Sequence, residues 1–260
     1  MACFDLTKSL CESISQLICR FWWSEMDDDT RHHWVGWDKM KLPKEQGGLG
    51  YRDLHSFNIA MLARQVWRLI QAPDSLCARV LQAKYYPDGD ILSAATAPGI
   101  SYVWRSILQG VEVIKEGMVW RVGNGDNIRI KRDPWLPSGA VRYPRTRRGS
   151  TLLTRVAELI DPYTNSWDTQ LVRQTFCQED ANVILSIPIF EHHEDFVAWQ
   201  FDRKGLFSVR SAYRIHVDLL RRQCQRQTGE CSSGQEEEKK MWRHLWQVNC
   251  PGKVHHFMWR

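Results

Sequence analysis

The stretch from Lys41 to Leu69, "KLPKEQGGLGYRDLHSFNIAMLARQVWRL", decides how the first part of the chain folds. Three glycines precede a segment whose apolar residues recur every three or four positions, which is the spacing of an amphipathic helix. A P-loop needs a lysine and a hydroxyl residue directly after its last glycine, and a dinucleotide fingerprint needs G-x-G-x-x-G after a strand. Neither pattern is present. The glycines are therefore predicted to turn the chain, and Asp53 to cap a helix with a buried stripe from Ile59 to Ile70.

Helical periodicity recurs on both sides of that stretch. The first 20 residues predict an amphipathic helix capped by Thr7. Its apolar stripe is predicted to contain Leu6, Leu10, Ile14, Leu17, Ile18 and Phe21. Further helices are predicted at 75–85, 101–116, 151–160, 168–186 and from Ser208 or Ser211 to about Arg222.

Two segments predict β-hairpins. "VWRVGNGDNIRI" has strand-like residues at 119–122 and 127–130 around a glycine-rich turn. "FVAWQFDRKGLFSV" has the same character, with its turn at 202–205. The predicted fold class is therefore mainly α with two small β-hairpins, an α+β arrangement. Three regions are predicted: a helical region over 1–90, a helix with a basic hairpin and loop over 91–149, and a last region over 150–260 with a polar linker at 225–238.

Composition indicates a globular protein without a membrane partner. The chain has 260 residues, of which 43% are hydrophobic and 25% charged. No apolar run reaches the length that a membrane span needs. The N-terminus resembles neither a secretory signal nor a mitochondrial transit peptide. The eight cysteines are scattered without C-x-x-C, so reduced thiols and an intracellular location, in the nucleus or cytoplasm, are expected.

Candidate metal ligands are present but poorly spaced. The run Asp27–Asp29 could hold Mg²⁺, yet it lies in a polar turn without a flanking strand, and a solvated acidic turn is the competing interpretation. Cys224, Cys231, Cys250 and His255 could form a Cys₃His zinc site, but six residues separate the first two cysteines, more than zinc sites use. We therefore expect no metal, no cofactor and no small-molecule substrate, and the sequence leaves the oligomeric state open.

Basic residues concentrate in one part of the chain. Residues 121–148 hold eight Arg or Lys against two Asp, and the formal net charge of the chain is +5. Such an excess favours a polyanion partner, with solvated surface charge as the alternative. Trp135 lies among these cations and could stack on a base, or it could pack in the core. The predicted nucleic-acid-binding residues are Arg129, Lys131, Arg132, Trp135, Arg145, Arg147, Arg148, Arg210 and Arg214.

An ordered series of short motifs covers essentially the whole chain. It includes "HHWVGWDKMKLPKEQGGLGYRDLHSFNIAMLARQVWRLI", "GISYVWRSILQG", "VWRVGNGDNIRIKRDPWLP", "GLFSVRSAYRI" and "CPGKVHHFMWR". In this order they resemble the plant LINE-type (non-LTR) retrotransposon polyprotein, in the segment after the reverse transcriptase catalytic core. The resemblance implies a helical thumb or connection region, followed by the start of the reverse transcriptase zinc-binding domain. In this family a C-x-x-C motif, and sometimes a ribonuclease H domain, follows.

The chain departs from that family pattern at two points. It has no Tyr/Phe-x-Asp-Asp motif, and it stops at Trp259–Arg260, before the zinc-ligand cysteines of the family. The resemblance therefore implies a non-catalytic, truncated fragment of an RNA-directed DNA polymerase polyprotein. We expect weak, sequence-tolerant binding of RNA or DNA. The alternative is a structural relic or a protein-interaction module without a nucleic-acid role.

Overall fold

The structure is a computed structural model that describes residues 3–23, 35–94, 99–137, 143–145, 153–190, 193–228 and 235–259. Helices dominate these residues, and the two small sheets are antiparallel, so the predicted mainly α class is confirmed. The helices are α1 (Lys8–Trp23), α2 (Trp37–Lys41), α3 (Leu54–Gln71), α4 (Leu76–Tyr85), α5 (Tyr102–Leu108), α6 (Val111–Gly117), α7 (Thr169–Thr175), α8 (Gln178–Ser186), α9 (Val209–Thr228), α10 (Gln235–Gln247) and α11 (Gly252–Trp259). The strands are β1 (Met118–Arg121), β2 (Ile160–Asp161), β3 (Ser166–Trp167) and β4 (Phe196–Trp199), and short 3₁₀ turns occupy Lys44–Gln46, Ile91–Ser93 and Val156–Leu159.

The chain divides into two compact units, and each takes segments that are far apart in sequence. Unit 1 comprises Met1–Val66, Ala95–Gly110 and Tyr213–Arg260, and unit 2 comprises Trp67–Ala94 and Val111–Ala212. These limits differ from the predicted boundaries after residues 90 and 149. The identification of the three regions with parts of a reverse transcriptase stays a prediction.

The glycines of the opening stretch shape unit 1. Gly47 has φ +79°, and a Cβ on Gly48 would lie 2.0 Å from the carbonyl oxygen of Leu42, so the turn needs glycine at both positions. The indole Nε1 of Trp259 donates to the Gly47 carbonyl oxygen at 2.8 Å. Asp53 Oδ1 accepts the backbone N–H of Ser56 at 2.8 Å, as a helix cap does. The structural interpretation of this stretch therefore holds.

Half of the α1 stripe that the sequence predicted to be buried is exposed. Leu10, Leu17 and Phe21 are 47%, 62% and 81% exposed. A neighbouring stripe is buried instead, made of Cys11, Ser15, Cys19 and Trp23. The buried side chain of Asn58 on α3 accepts from Leu6 N at 2.8 Å and donates to Phe4 O at 2.9 Å. Because these two residues lie just before α1 in the chain, the contacts set the rotation of the helix. The helix was predicted correctly, but of its predicted stripe only Leu6, Ile14 and Ile18 are partly buried.

The predicted strand pairings are also wrong. β1 pairs with β4, with Met118 opposite Trp199, and β2 pairs with β3. The segment 127–130 forms only one isolated bridge, between Arg129 and Arg155. The turn at 202–205 is present, since Gly205 N donates to Asp202 O at 3.1 Å, but among the described residues no strand follows it.

A buried aspartate explains why "GNGDN" does not close a hairpin. Asp195 Oδ1 accepts the backbone N–H groups of Gly123 and Gly125 at 2.8 and 2.9 Å, and Oδ2 accepts that of Asn127 at 2.8 Å. The loop therefore wraps around a carboxylate instead of continuing as a strand. A Cβ on Gly123 would lie 2.2 Å from the carbonyl oxygen of His193, so this close approach needs glycine.

Candidate nucleic-acid interface

After β1, alternation of apolar and basic residues sets three cations on the surface of unit 2. The apolar residues are buried in the core of this unit, which contains Val122, Ile128, Ile130, Trp135, Leu136 and Phe176. The intervening Arg129, together with Lys131 and Arg132, is exposed. Burial of the apolar partners therefore directs these cations outward.

Hydrogen bonds fix the backbone that carries these cations. Asp133 Oδ2 accepts the backbone N–H of Arg129 at 2.6 Å, and Asp133 N donates back to Arg129 O at 3.1 Å. Ile130 N donates to Thr154 O at 3.0 Å. The Trp135 indole Nε1 donates to Ile130 O at 3.1 Å. The side chains of Arg129 and Arg132 therefore project from a backbone that is already ordered.

A groove of about 710 Å³ runs beside this backbone, and we call it the unit 2 groove. Arg129 and Arg132 line it, together with Lys115 on α6 and three aromatic residues, Tyr86, Trp120 and Tyr143. Tyr143 is 47% exposed, so part of its side chain is accessible to a ligand. The volume lies within the range of ligand-binding clefts.

Acidic as well as basic side chains line the unit 2 groove. Three acidic residues also line it, namely Asp88, Asp90 and Asp133. Asp133 and Asp90 each accept a backbone N–H, from Arg129 at 2.6 Å and from Leu92 at 2.9 Å. Within the described part of the chain, neither Arg129 nor Arg132 forms an ion pair. Their guanidinium groups can therefore bind a phosphate without first breaking a salt bridge.

Two other predicted site residues have structural partners. Trp135 is 1% exposed and stacks on Trp167 with ring centroids 6.1 Å apart, so packing, the alternative named above, is its role in this structure. Arg145 contacts Glu179 at 2.8 Å and Asp180 at 3.5 Å. Hydrogen bonds to Glu179 and then to Asp180 raise the pKa of Arg145 above its ordinary value. These carboxylates already neutralise the guanidinium.

The remaining predicted residues do not join the groove. Arg210 and Arg214 are exposed on α9, and neither lines the groove; Lys131 is exposed beside the groove. Arg147 and Arg148 lie outside the described residues. The sequence prediction missed Lys115, Trp120 and Tyr143. Tyr143 stood beside the arginine cluster, and that proximity was the one available signal for it.

The described residues contain no group of three His, Cys, Asp or Glu side chains placed to hold a metal ion. Asp27–Asp29 and Cys231 lie outside those residues, so the expectation of no metal site stays a prediction. Among the described helices, none has the length and apolar character to cross a membrane.

Comparison with known proteins finds similarity to two plant proteins. No protein-family model matches it, and no solved structure matches it. The "Uncharacterized mitochondrial protein AtMg00310" of Arabidopsis thaliana is 36% identical over 137 residues, which cover 52% of this chain and 89% of that protein. The "Putative ribonuclease H protein At1g65750" of the same plant is 31% identical over 276 aligned residues, which cover 100% of this chain and 41% of that protein.

The chain belongs to the family of the first relative, which it matches over nearly that protein's whole length. It spans 41% of the length of the second. Relatives of this kind are typical of retrotransposon-derived plant proteins, and this coarser part of the resemblance is confirmed.

Proposed function

We propose that this chain is a non-catalytic segment of a LINE-type retrotransposon reverse transcriptase polyprotein. The ordered motifs and the full-length similarity to a longer, ribonuclease H-named relative support this assignment. The chain has no Tyr/Phe-x-Asp-Asp motif, which would supply the carboxylates for two-metal phosphoryl transfer. The purified chain is therefore expected to extend no primed template with Mg²⁺ or Mn²⁺. Template-dependent extension by stringently purified protein would contradict the non-catalytic assignment.

The activity that we propose for the chain itself is weak, sequence-tolerant binding of single-stranded RNA or DNA in the unit 2 groove. One observation carries this proposal: Arg129 and Arg132, without ion pairs to described residues, line the same groove as the exposed ring of Tyr143. Guanidinium groups bind phosphates, and an exposed aromatic ring stacks on a base of any identity. Both contacts tolerate sequence changes, because phosphates carry no base information.

Salt dependence tests the phosphate contacts. If the groove residues Arg129 and Arg132 and the adjacent Lys131, which lies outside the groove lining, each neutralise one phosphate, log affinity for a single strand should fall with log salt at a slope of about −2. That slope means a loss of about fifteenfold between roughly 50 and 200 mM salt. Replacing the three residues by alanine should flatten the slope by about two and weaken all sequences alike.

Fluorescence anisotropy with labelled oligonucleotides of about 12 nucleotides, measured over a series of salt concentrations, gives this slope. Arg173→Ala is the matched control, because Arg173 is an exposed arginine of unit 2, on α7, that does not line the groove. It should leave slope and affinity near those of the parent. If the triple variant binds as the parent does, the cations are only solvated surface charge and the binding proposal fails.

A second candidate function is a protein-interaction module, and the exposed face of α1 favours it. Leu10, Leu17 and Phe21 present apolar surface to solvent on one helix, and contiguous exposed apolar surface often marks an interaction site. If the parent chain binds no oligonucleotide at about 50 mM salt, this alternative becomes the better explanation of the fold.

A further inference from the structure

Part of the lining of the unit 2 groove is an acidic turn that contains Asp88, Gly89 and Asp90. Its charge is opposite to that of Arg129 and Arg132. Gly89 adopts φ +79°, and its backbone N–H donates to Tyr86 O at 2.9 Å. Asp90 Oδ1 accepts from Leu92 N at 2.9 Å and thereby starts the 3₁₀ turn Ile91–Ser93. The turn is therefore held by its own hydrogen bonds, and it sets the exposed side chain of Asp88 along the groove.

Asp88 differs from the other two groove aspartates, because its carboxylate makes no hydrogen bond or ion pair with any described residue. An ionised carboxylate accepts hydrogen bonds and cannot donate them. It repels a phosphate, so Asp88 is unsuited to contact the nucleic-acid backbone that Arg129 and Arg132 would bind. It does suit the amino groups on the edges of unstacked bases, since aspartate accepts from the N4 amino group of cytosine.

We propose that the unit 2 groove contains a nucleobase subsite that prefers cytosine to uracil, with Asp88 accepting from the N4 amino group. The inference rests on the proposed nucleic-acid binding and specifies its ligand. Cytosine and uracil are equal in size and stack alike on Tyr143. At position 4 cytosine carries an amino donor, and uracil a carbonyl acceptor that a carboxylate repels. They differ also at position 3, where uracil has an N–H donor, so the preference requires that Asp88 faces position 4. The phosphate of the same nucleotide lies toward Arg129 and Arg132.

The test compares labelled oligo(rC) and oligo(rU) of about 12 residues with the full chain, by anisotropy at about 50 mM salt and pH about 7.5. Binding of oligo(rC) should be about tenfold tighter, as expected for one hydrogen bond to a charged group. Asp88→Asn should bring the ratio near one, because its amide presents both a donor and an acceptor. Asp74→Asn is the control, since Asp74 is an exposed aspartate of unit 2 that does not line the groove.

Tyr143→Ala separates stacking from edge recognition. It should weaken both oligonucleotides by a similar factor and keep their ratio, whereas Tyr143→Phe should bind like the parent. Because Asp88 and Tyr143 are exposed, melting temperatures of these variants should match that of the parent.

The outcomes distinguish this inference from the function on which it rests. Equal binding of the two oligonucleotides with a salt slope of about −2 would overturn the subsite and leave the binding proposal intact. A preference for cytosine that survives Asp88→Asn would also overturn it. Absence of binding, or binding unchanged in the triple variant of Arg129, Lys131 and Arg132, would instead refute the proposed function.

Discussion

Replacing Asp195 by alanine is expected to release the loop that leads into the unit 2 groove. Asp195 is 9% exposed and accepts three backbone N–H groups at 2.8, 2.9 and 2.8 Å. A hydrogen bond to a charged group contributes about 1.5–3 kcal/mol. Water can reach the part-buried bond to Asn127 and recover some of this loss. We therefore expect the free energy of unfolding to fall by about 3–5 kcal/mol, a large part of the total for a domain.

Urea denaturation followed by tryptophan fluorescence measures this loss, because Trp120 and Trp135 lie close to the loop in sequence and line the groove or the core. Asp126→Ala is the matched control on the same loop. The Asp126 side chain is exposed, and it accepts the Asn124 amide at 2.9 Å. Its removal should cost about 0.5 kcal/mol or less. Asp195→Asn should lower the free energy of unfolding nearly as much as Asp195→Ala does. The NH₂ group of asparagine is a donor, and it would face a backbone N–H that is also a donor.

The same substitution should also weaken oligonucleotide binding, since Arg129 is two residues from Asn127 in the sequence. The loop supports Arg129 from its N-terminal side, in addition to the hydrogen bonds of Asp133. Equal unfolding midpoints for Asp195→Ala and Asp126→Ala would refute the reasoning, because the three hydrogen bonds would then contribute nothing that solvent cannot replace.

Three further predictions concern other parts of the molecule. Gly47→Ala should lower the free energy of unfolding by about 2–3 kcal/mol, because its Cβ would lie 2.8 Å from the Trp242 indole and the positive φ adds strain of about 1–2 kcal/mol. Gly50→Ala, at φ +75° with open space around its Cβ, should show the strain alone, and urea melts measure both. Trp135→Ala should lower the free energy of unfolding by about 3–5 kcal/mol, as loss of a core indole does, and calorimetry would detect it. Burial, and then the neighbouring His55, lower the pKa of His216. Its stabilising contribution is therefore present above the unfolded pKa of about 6.5 and is lost as the pH falls through the lower folded pKa. Urea midpoints for the parent and His216→Leu should converge in this pH range, and a constant difference between them would contradict the prediction.

Local patterns in the sequence determined most of the helices, the cap of α3 and the class of the fold. The helix predicted at 151–160 is an exception, because the only helical element in its described part is the 3₁₀ turn Val156–Leu159. Asp53 caps α3 as predicted, and Ile59 and Leu62 are buried on its stripe. The exposure of Arg129 also follows from the sequence, because Ile128 and Ile130 on either side are apolar. These features depend on backbone geometry within a few residues, and helical periodicity, capping and alternation all express that geometry.

Only the tertiary structure decided which distant residues meet. Asp195 captures a loop 68 to 72 residues earlier in the chain, and that capture directs β1 to β4. Asn58 fixes the rotation of α1 from 52 residues away, so Leu10, Leu17 and Phe21 of that helix are left in solvent. The unit 2 groove likewise joins Asp88, Arg129 and Tyr143 from separate segments. Such pairings are set by the free energy of packing and of hydrogen bonds between segments, which no periodicity within a single segment records.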